Sequence, residues 1–139
     1  MPLKIVSLTE TLSVAPQIAA SDIPDIAALG YRVLINNRPD AEEPGQLASD
    51  EARGVAERSG LAYEYLPVTA ATLTIAEVDA FGQLLAGLEG PILAHCRSGT
   101  RCYLLWAATQ VRGGKASAAD LIRQAAEKGF DISALARFV

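Results

Sequence analysis

One histidine, two cysteines, one methionine and one tryptophan are all that the chain holds of those residue types. Each scarcity excludes something. Zinc takes three or four protein ligands, and His95, Cys96 and Cys102 pooled make a crowded, unsuitable set. No metal and no other cofactor is therefore expected. Two cysteines six residues apart do not form the disulfide framework of a small secreted domain, which points to a reducing compartment and a cytoplasmic protein. No apolar run approaches membrane length, and no signal-peptide pattern opens the sequence. Cations are outnumbered too. Twelve Lys and Arg face 16 Asp and Glu, a net charge of −4, which disfavours nucleic acid as the main partner.

A second shortage is local. From Gly90 to Ala119 there is no Asp or Glu, yet Arg97, Arg101, Arg112 and Lys115 all fall in that stretch. An acidic chain thus keeps one basic segment, and the histidine and both cysteines lie inside it. A solvated helix face is the plain alternative for such a charge run.

What is present suits one α/β domain over residues 1–139. Half of the 139 residues are apolar and 25 are alanine, enough to bury roughly two-thirds of the unfolded surface without staples. Lys4–Leu8 and Thr11–Val14 alternate as short strands. Ser21-Asp22-Ile23-Pro24 opens a helix that Gly30 stops, and Tyr31–Asn36 reads as a buried strand. After the loop Asn37–Gly45, a polar helix runs from Gln46 to Ser59, and Leu61–Leu66 is a further strand. Thr74 and Glu77 form a capping box for a helix reaching about Leu88. Ile92–His95 is a short buried strand, Arg101–Val111 an apolar helix, and Ser117 caps a last long helix before a helical tail. Strands alternating with helices predict a mostly parallel sheet with helices on both faces.

The segment His95-Cys96-Arg97-Ser98-Gly99-Thr100-Arg101-Cys102 concentrates the chemistry. A buried strand delivers a cysteine to a tight loop that opens directly into a helix. Loop N–H groups and the free amides of the first helical turn then converge, a cradle for a tetrahedral oxyanion. The same dipoles favour a thiolate at Cys96. Gly99 permits the backbone angles such a loop needs. Arg101 is suited to clamp two oxygens, and Arg97 adds positive potential at the mouth. Ser98, Gly99, Thr100 and Cys102 complete the expected substrate-binding set, with Cys96 and Arg101 as the catalytic pair. The alternatives are a buried structural thiol at Cys96 and a small helix-interior residue or resolving thiol at Cys102. His95 is expected to pack behind the loop, and Tyr103 and Trp106 to lie in the core.

Cys96-Arg97-Ser98-Gly99-Thr100-Arg101 resembles the active-site loop of rhodanese sulfurtransferases, Cys-Arg-x-Gly-x-Arg/Thr. It is also similar to the His-Cys-x-x-Gly-x-x-Arg loop of cysteine-dependent protein phosphatases, with one residue fewer: Arg101 stands five places after the cysteine, and Cys102 occupies the sixth. The wider chain resembles the phosphatase-like domain of beta-lactamase-hydrolase-like proteins, through Asp25–Gly30, Val33–Asp40 with Glu42, Tyr65–Val68 and the cysteine loop. That resemblance implies a three-layer cysteine-phosphatase-like fold. Some relatives carry a fused metallo-β-lactamase-like partner, which a single histidine excludes from these residues. The upstream Asp-x-Arg and Gly-His-Ile signatures of a true rhodanese fold are missing.

Two reactions fit such a cradle. A phosphatase of this kind protonates an alkoxide leaving group, normally with an upstream aspartate, but the turn Pro67–Leu73 contains no acid. Asp40, or Glu42, would have to substitute from the loop after the preceding strand, where Asn37 and Arg38 shape the rim. Arg38 serves equally well in a structural pair with Asp40 or Glu42. Sulfane-sulfur transfer makes no demand for an acid, because sulfite leaves thiosulfate without a proton. The residues therefore favour sulfur transfer through a Cys96 persulfide, from thiosulfate or a persulfide donor to a thiol acceptor or protein partner. Hydrolysis of a phosphate ester is the second reading, and a non-catalytic oxyanion-binding module the third.

Overall fold

The structure, a computed structural model, describes residues 3–138. Among these, five strands form one sheet: β1 (Val6–Ser7), β2 (Leu12–Ala15), β3 (Val33–Asn36), β4 (Ala62–Tyr65) and β5 (Ile92–His95). Their spatial order is β1-β2-β5-β3-β4. β1 meets β2 antiparallel, and the other three pairings are parallel. Connections run through α1 (Asp22–Ala28), α2 (Ser49–Arg58), α3 (Ile75–Gly87), α4 (Thr100–Arg112) and α5 (Ala118–Glu127), and a 3-10 helix, Ser133–Phe138, follows.

Alternation along each strand sends neighbouring side chains to opposite faces. Val33, Ile35, Ile92 and Ala94 join Val78 and Phe81 of α3 and Leu105 of α4 in one cluster. Leu34 and Leu93 turn the other way, against Ile23 and Ile26 of α1 and Ala52 and Ala56 of α2. Both faces are therefore covered, which is why the central strands read as continuous apolar runs. Each fully buried large side chain contributes about 1.5–3 kcal/mol. The three-layer α/β architecture is the one that the sequence pattern predicts.

Local chemistry explains two of the helix starts. The Thr74–Glu77 capping box opens α3, and Ser117 Oγ accepts the Asp120 N–H at 3.2 Å to open α5. Two expectations are corrected. Ser21 makes no side-chain cap on α1; instead Asp22 Oδ2 accepts the Ala19 N–H at 2.8 Å. The helix expected from Gln46 starts at Ser49, whose N–H and hydroxyl are held by Asp40 at 2.9 and 2.7 Å. No helix among the described residues is long and apolar enough to cross a membrane.

Candidate active site

The central strand β5 ends at His95, and the chain turns through Cys96–Gly99 into α4. Neighbouring strands grip this loop from both sides. Cys96 N–H donates to the Ala15 carbonyl (3.3 Å), and Gln17 N–H donates to the Arg97 carbonyl (3.1 Å). On the β3 side, Asn37 N–H donates to the His95 carbonyl at 2.9 Å. Gly99, the N-cap of α4, has φ +92°. A Cβ there would lie 3.3 Å from the Phe130 ring and 3.5 Å from the Ala15 carbonyl; the left-handed backbone is what favours glycine, and the space beside it is tight.

The loop closes around sulfur. Gly99 N–H donates to Cys96 Sγ at 3.1 Å, and the Cys102 thiol and the amides of Ser98, Arg101 and Cys102 bear on the same atom. The Cys102 hydrogen bond, with those amides, outweighs burial and draws the Cys96 thiol down to about 6. Its thiolate therefore predominates at neutral pH. Cys102 moves oppositely: burial, its bond to Cys96 and the nearby thiolate hold its proton on. Cys102 is fully buried in α4, with its thiol beside that of Cys96. His95 is also buried, and burial lowers its imidazole to about 4. Neither of its ring nitrogens has a hydrogen-bond partner among the described residues, so it packs in the neutral form.

Arg101 reaches away from the sulfur. Its guanidinium donates to Glu42 Oε1 and Oε2 at 2.8 and 3.0 Å and to the Val68 carbonyl at 2.9 Å. Glu42 also accepts from Arg38 Nε at 2.8 Å, while Arg38 reaches Glu43 at 3.0 Å and Gln17 at 3.1 Å. Arg38 is only 1% exposed, a buried cation made tolerable by these acceptors. Arg101 foremost, then Arg38, holds the Glu42 carboxyl down to about 2. An incoming oxyanion must compete with Glu42 for Arg101.

Other expected rim residues have different work. Asp40 binds Ser49 through both carboxylate oxygens and gives its own N–H to the Tyr65 hydroxyl. Asn37 is fully buried, its amide bound to the Leu66 carbonyl at 2.8 Å, so it joins β3 to the end of β4 and does not line a rim. Arg97 and Ser98 are exposed, and Ser98 Oγ donates to Thr100 Oγ1 at 2.9 Å. Glu42 outranks Asp40 here. Its i+4 spacing from Arg38 was a weak sign in the sequence, whereas its contact with Arg101 spans 59 positions. Among the described residues no group of three or more His, Cys, Asp or Glu could hold a metal ion.

The family described as beta-lactamase hydrolase-like protein, phosphatase-like domain, matches residues 4–113. The chain belongs to this family. A beta-lactamase hydrolase-like protein of Agrobacterium fabrum is 36% identical over 137 residues, 99% of this chain and 32% of that protein. One from Xylella fastidiosa is 38% identical over 130 residues, 94% of this chain and 30% of that protein. The phosphatase-like chain thus spans about a third of the length of the curated relatives it matches. A solved structure of a candidate phosphatase from Neisseria meningitidis is 35% identical, with a TM-score of 0.86, covering 96% of this chain and 95% of that one. P. aeruginosa TpbA is 20% identical with a TM-score of 0.66, covering 86% and 70%, a likeness of fold alone. Family, fold and cysteine loop together make this chain a phosphatase-like cysteine enzyme.

Proposed function

We propose that Cys96 carries sulfane sulfur as a persulfide. One observation supports this reading above others: among the described residues, no carboxylic acid beside the loop is available to protonate a leaving group. Glu42 stays ionised between two arginines, Asp40 is bound to Ser49, and residues 67–73 include no acid. An alkoxide departs poorly without a proton. Sulfite departs without one.

In this scheme the Cys96 thiolate attacks the outer sulfur of thiosulfate. A Cys96–sulfur bond forms as the sulfur–sulfur bond of thiosulfate breaks, and sulfite leaves with the bonding pair. An acceptor thiolate then attacks the terminal sulfur and departs as a persulfide, which returns Cys96 to its thiolate. Loop amides and Arg101, once it exchanges Glu42 for the ligand, hold the sulfonate oxygens. Arg97, Ser98 and Thr100 line the approach. A reducing, cytoplasmic setting suits an enzyme that depends on a reduced thiol.

A second reading is favoured by the relatives. The Neisseria meningitidis neighbour is a candidate phosphatase, and TpbA has been solved with phosphotyrosine. The same nucleophile would then form a phosphocysteine, limited by the missing acid to esters with good leaving groups such as aryl phosphates. Intact mass after incubation with thiosulfate, and phenol release from an aryl phosphate, separate the two. One sulfur added to wild type but not to Cys96→Ser supports sulfur transfer. Phenol release that Cys96→Ser abolishes, with no added sulfur, replaces it with hydrolysis. Anion binding with neither signal leaves a binding module.

A further inference from the structure

The transfer scheme leaves one nucleophile of the site unused, the thiol of Cys102. The chain holds two cysteines, and the fold gathers both into one buried cluster as free thiols. Their proximity follows from the way the loop enters the helix. Cys96 Sγ accepts the N–H of Gly99, the N-cap of α4, at 3.1 Å. Cys102 is the third residue of α4, and its side chain bears on the same sulfur. Six positions apart in sequence, the two thiols are neighbours in space, and each is 0% exposed.

A thiol held in contact reacts at an effective concentration far above that of any dissolved thiol. The atom that Cys102 meets is Cys96 Sγ, the inner sulfur of a persulfide formed there. We infer that Cys102 resolves the Cys96 persulfide inside the protein, releasing the carried sulfur as hydrosulfide and leaving a Cys96–Cys102 disulfide. This rests on the sulfur-transfer reading and gives the carried sulfur a second fate. A bond forms between Cys102 Sγ and Cys96 Sγ as the bond from Cys96 Sγ to the outer sulfur breaks. The outer sulfur takes the bonding pair and the proton that Cys102 gives up, and departs as HS⁻. Counted as sulfane sulfur, it gains two electrons, one from each cysteine, so no other oxidant or reductant enters. A dithiol then reduces the disulfide by exchange and restores both thiols. Burial foremost, then its bond to Cys96 and the thiolate charge there, keep the proton on Cys102 in the resting protein. Loading moves that charge outward to the terminal sulfur, which eases the loss of the proton.

The test uses the reduced full chain, loaded with thiosulfate in alkaline buffer so that Cys96 is ionised in variants as well. Thiosulfate is then removed, no thiol is added, and intact mass and free sulfide are followed with time. In wild type the added sulfur should disappear as one equivalent of sulfide appears, and the final mass should lie two hydrogens below that of the reduced chain. After unfolding, neither cysteine should react with iodoacetamide until a dithiol is supplied. In Cys102→Ser the loaded sulfur should persist, its loss slowed by about tenfold or more. Cys102→Ala should behave in the same way, which separates the missing thiol from any effect of the serine hydroxyl. Persistence of the sulfur in wild type, or loss at an equal rate in both variants, would overturn the inference and leave sulfur transfer standing. If neither wild type nor the variants take up sulfur and no sulfide appears, the sulfur-transfer reading fails and the inference with it.

Discussion

On the β3 side of the Cys96 loop, Arg38 and Arg101 are both committed to Glu42, whereas on the β2 side Lys4, Arg97 and Lys128 have no carboxylate partner among the described residues. The two sides teach different uses of positive charge. A buried, hydrogen-bonded cation holds the scaffold and yields only to a ligand that outbids its carboxylate. Exposed, unpaired cations attract anions readily, hold them weakly and are screened by salt.

Breaking the paired side should have the largest effects. Arg38→Met removes a buried guanidinium with three acceptors and should lower stability by about 3 kcal/mol, read from the denaturant midpoint. A loss below about 1 kcal/mol would show that Glu42 and Glu43 find other partners. Arg101→Ala should weaken thiosulfate binding about 100-fold by calorimetry; little change would mean that the amides hold the anion alone. Cys102→Ala deletes the bond that contributes most to lowering Cys96, so the ionisation midpoint should rise from about 6 by roughly one to two pH units. Glu42→Gln has the opposite sign for binding. It removes the competitor for Arg101 and should tighten thiosulfate binding about threefold to tenfold, while costing stability around Arg38. On the unpaired side, Arg97→Ala should change thiosulfate affinity by no more than about threefold, and less as salt is raised.

Much of the fold was legible because its signals are local. The apolar run Ile92–Ala94, the Thr74–Glu77 box and the glycine after α2 each act over a few residues, and the β-α alternation they reveal leads to a parallel sheet. The cysteine loop was legible for the same reason, since nucleophile, glycine and amide donors lie within seven consecutive positions. The supporting residues were harder. Asp40 and Glu42 stand two apart in one loop, and only tertiary contacts send one to Ser49 and the other to Arg101. Nothing local joins Lys4 to Lys128; the edge strand β1 and the end of α5 bring them to one groove. Cys102 read as a helix-interior residue, and it is one, but the turn of α4 also aims its thiol at Cys96.

The central claim is that the loop holds Cys96 as a thiolate at neutral pH. Ultraviolet thiolate absorbance, followed against pH as the difference between wild type and Cys96→Ser, measures this without needing access to the buried sulfur. Folding lowers this group's pKa, so the ionised thiol adds stability that is complete above the ordinary thiol value of 9.0 and is lost as pH falls through about 6. The absorbance difference should therefore rise with a midpoint near 6. A midpoint in the ordinary thiol range, above about 8, would contradict the account.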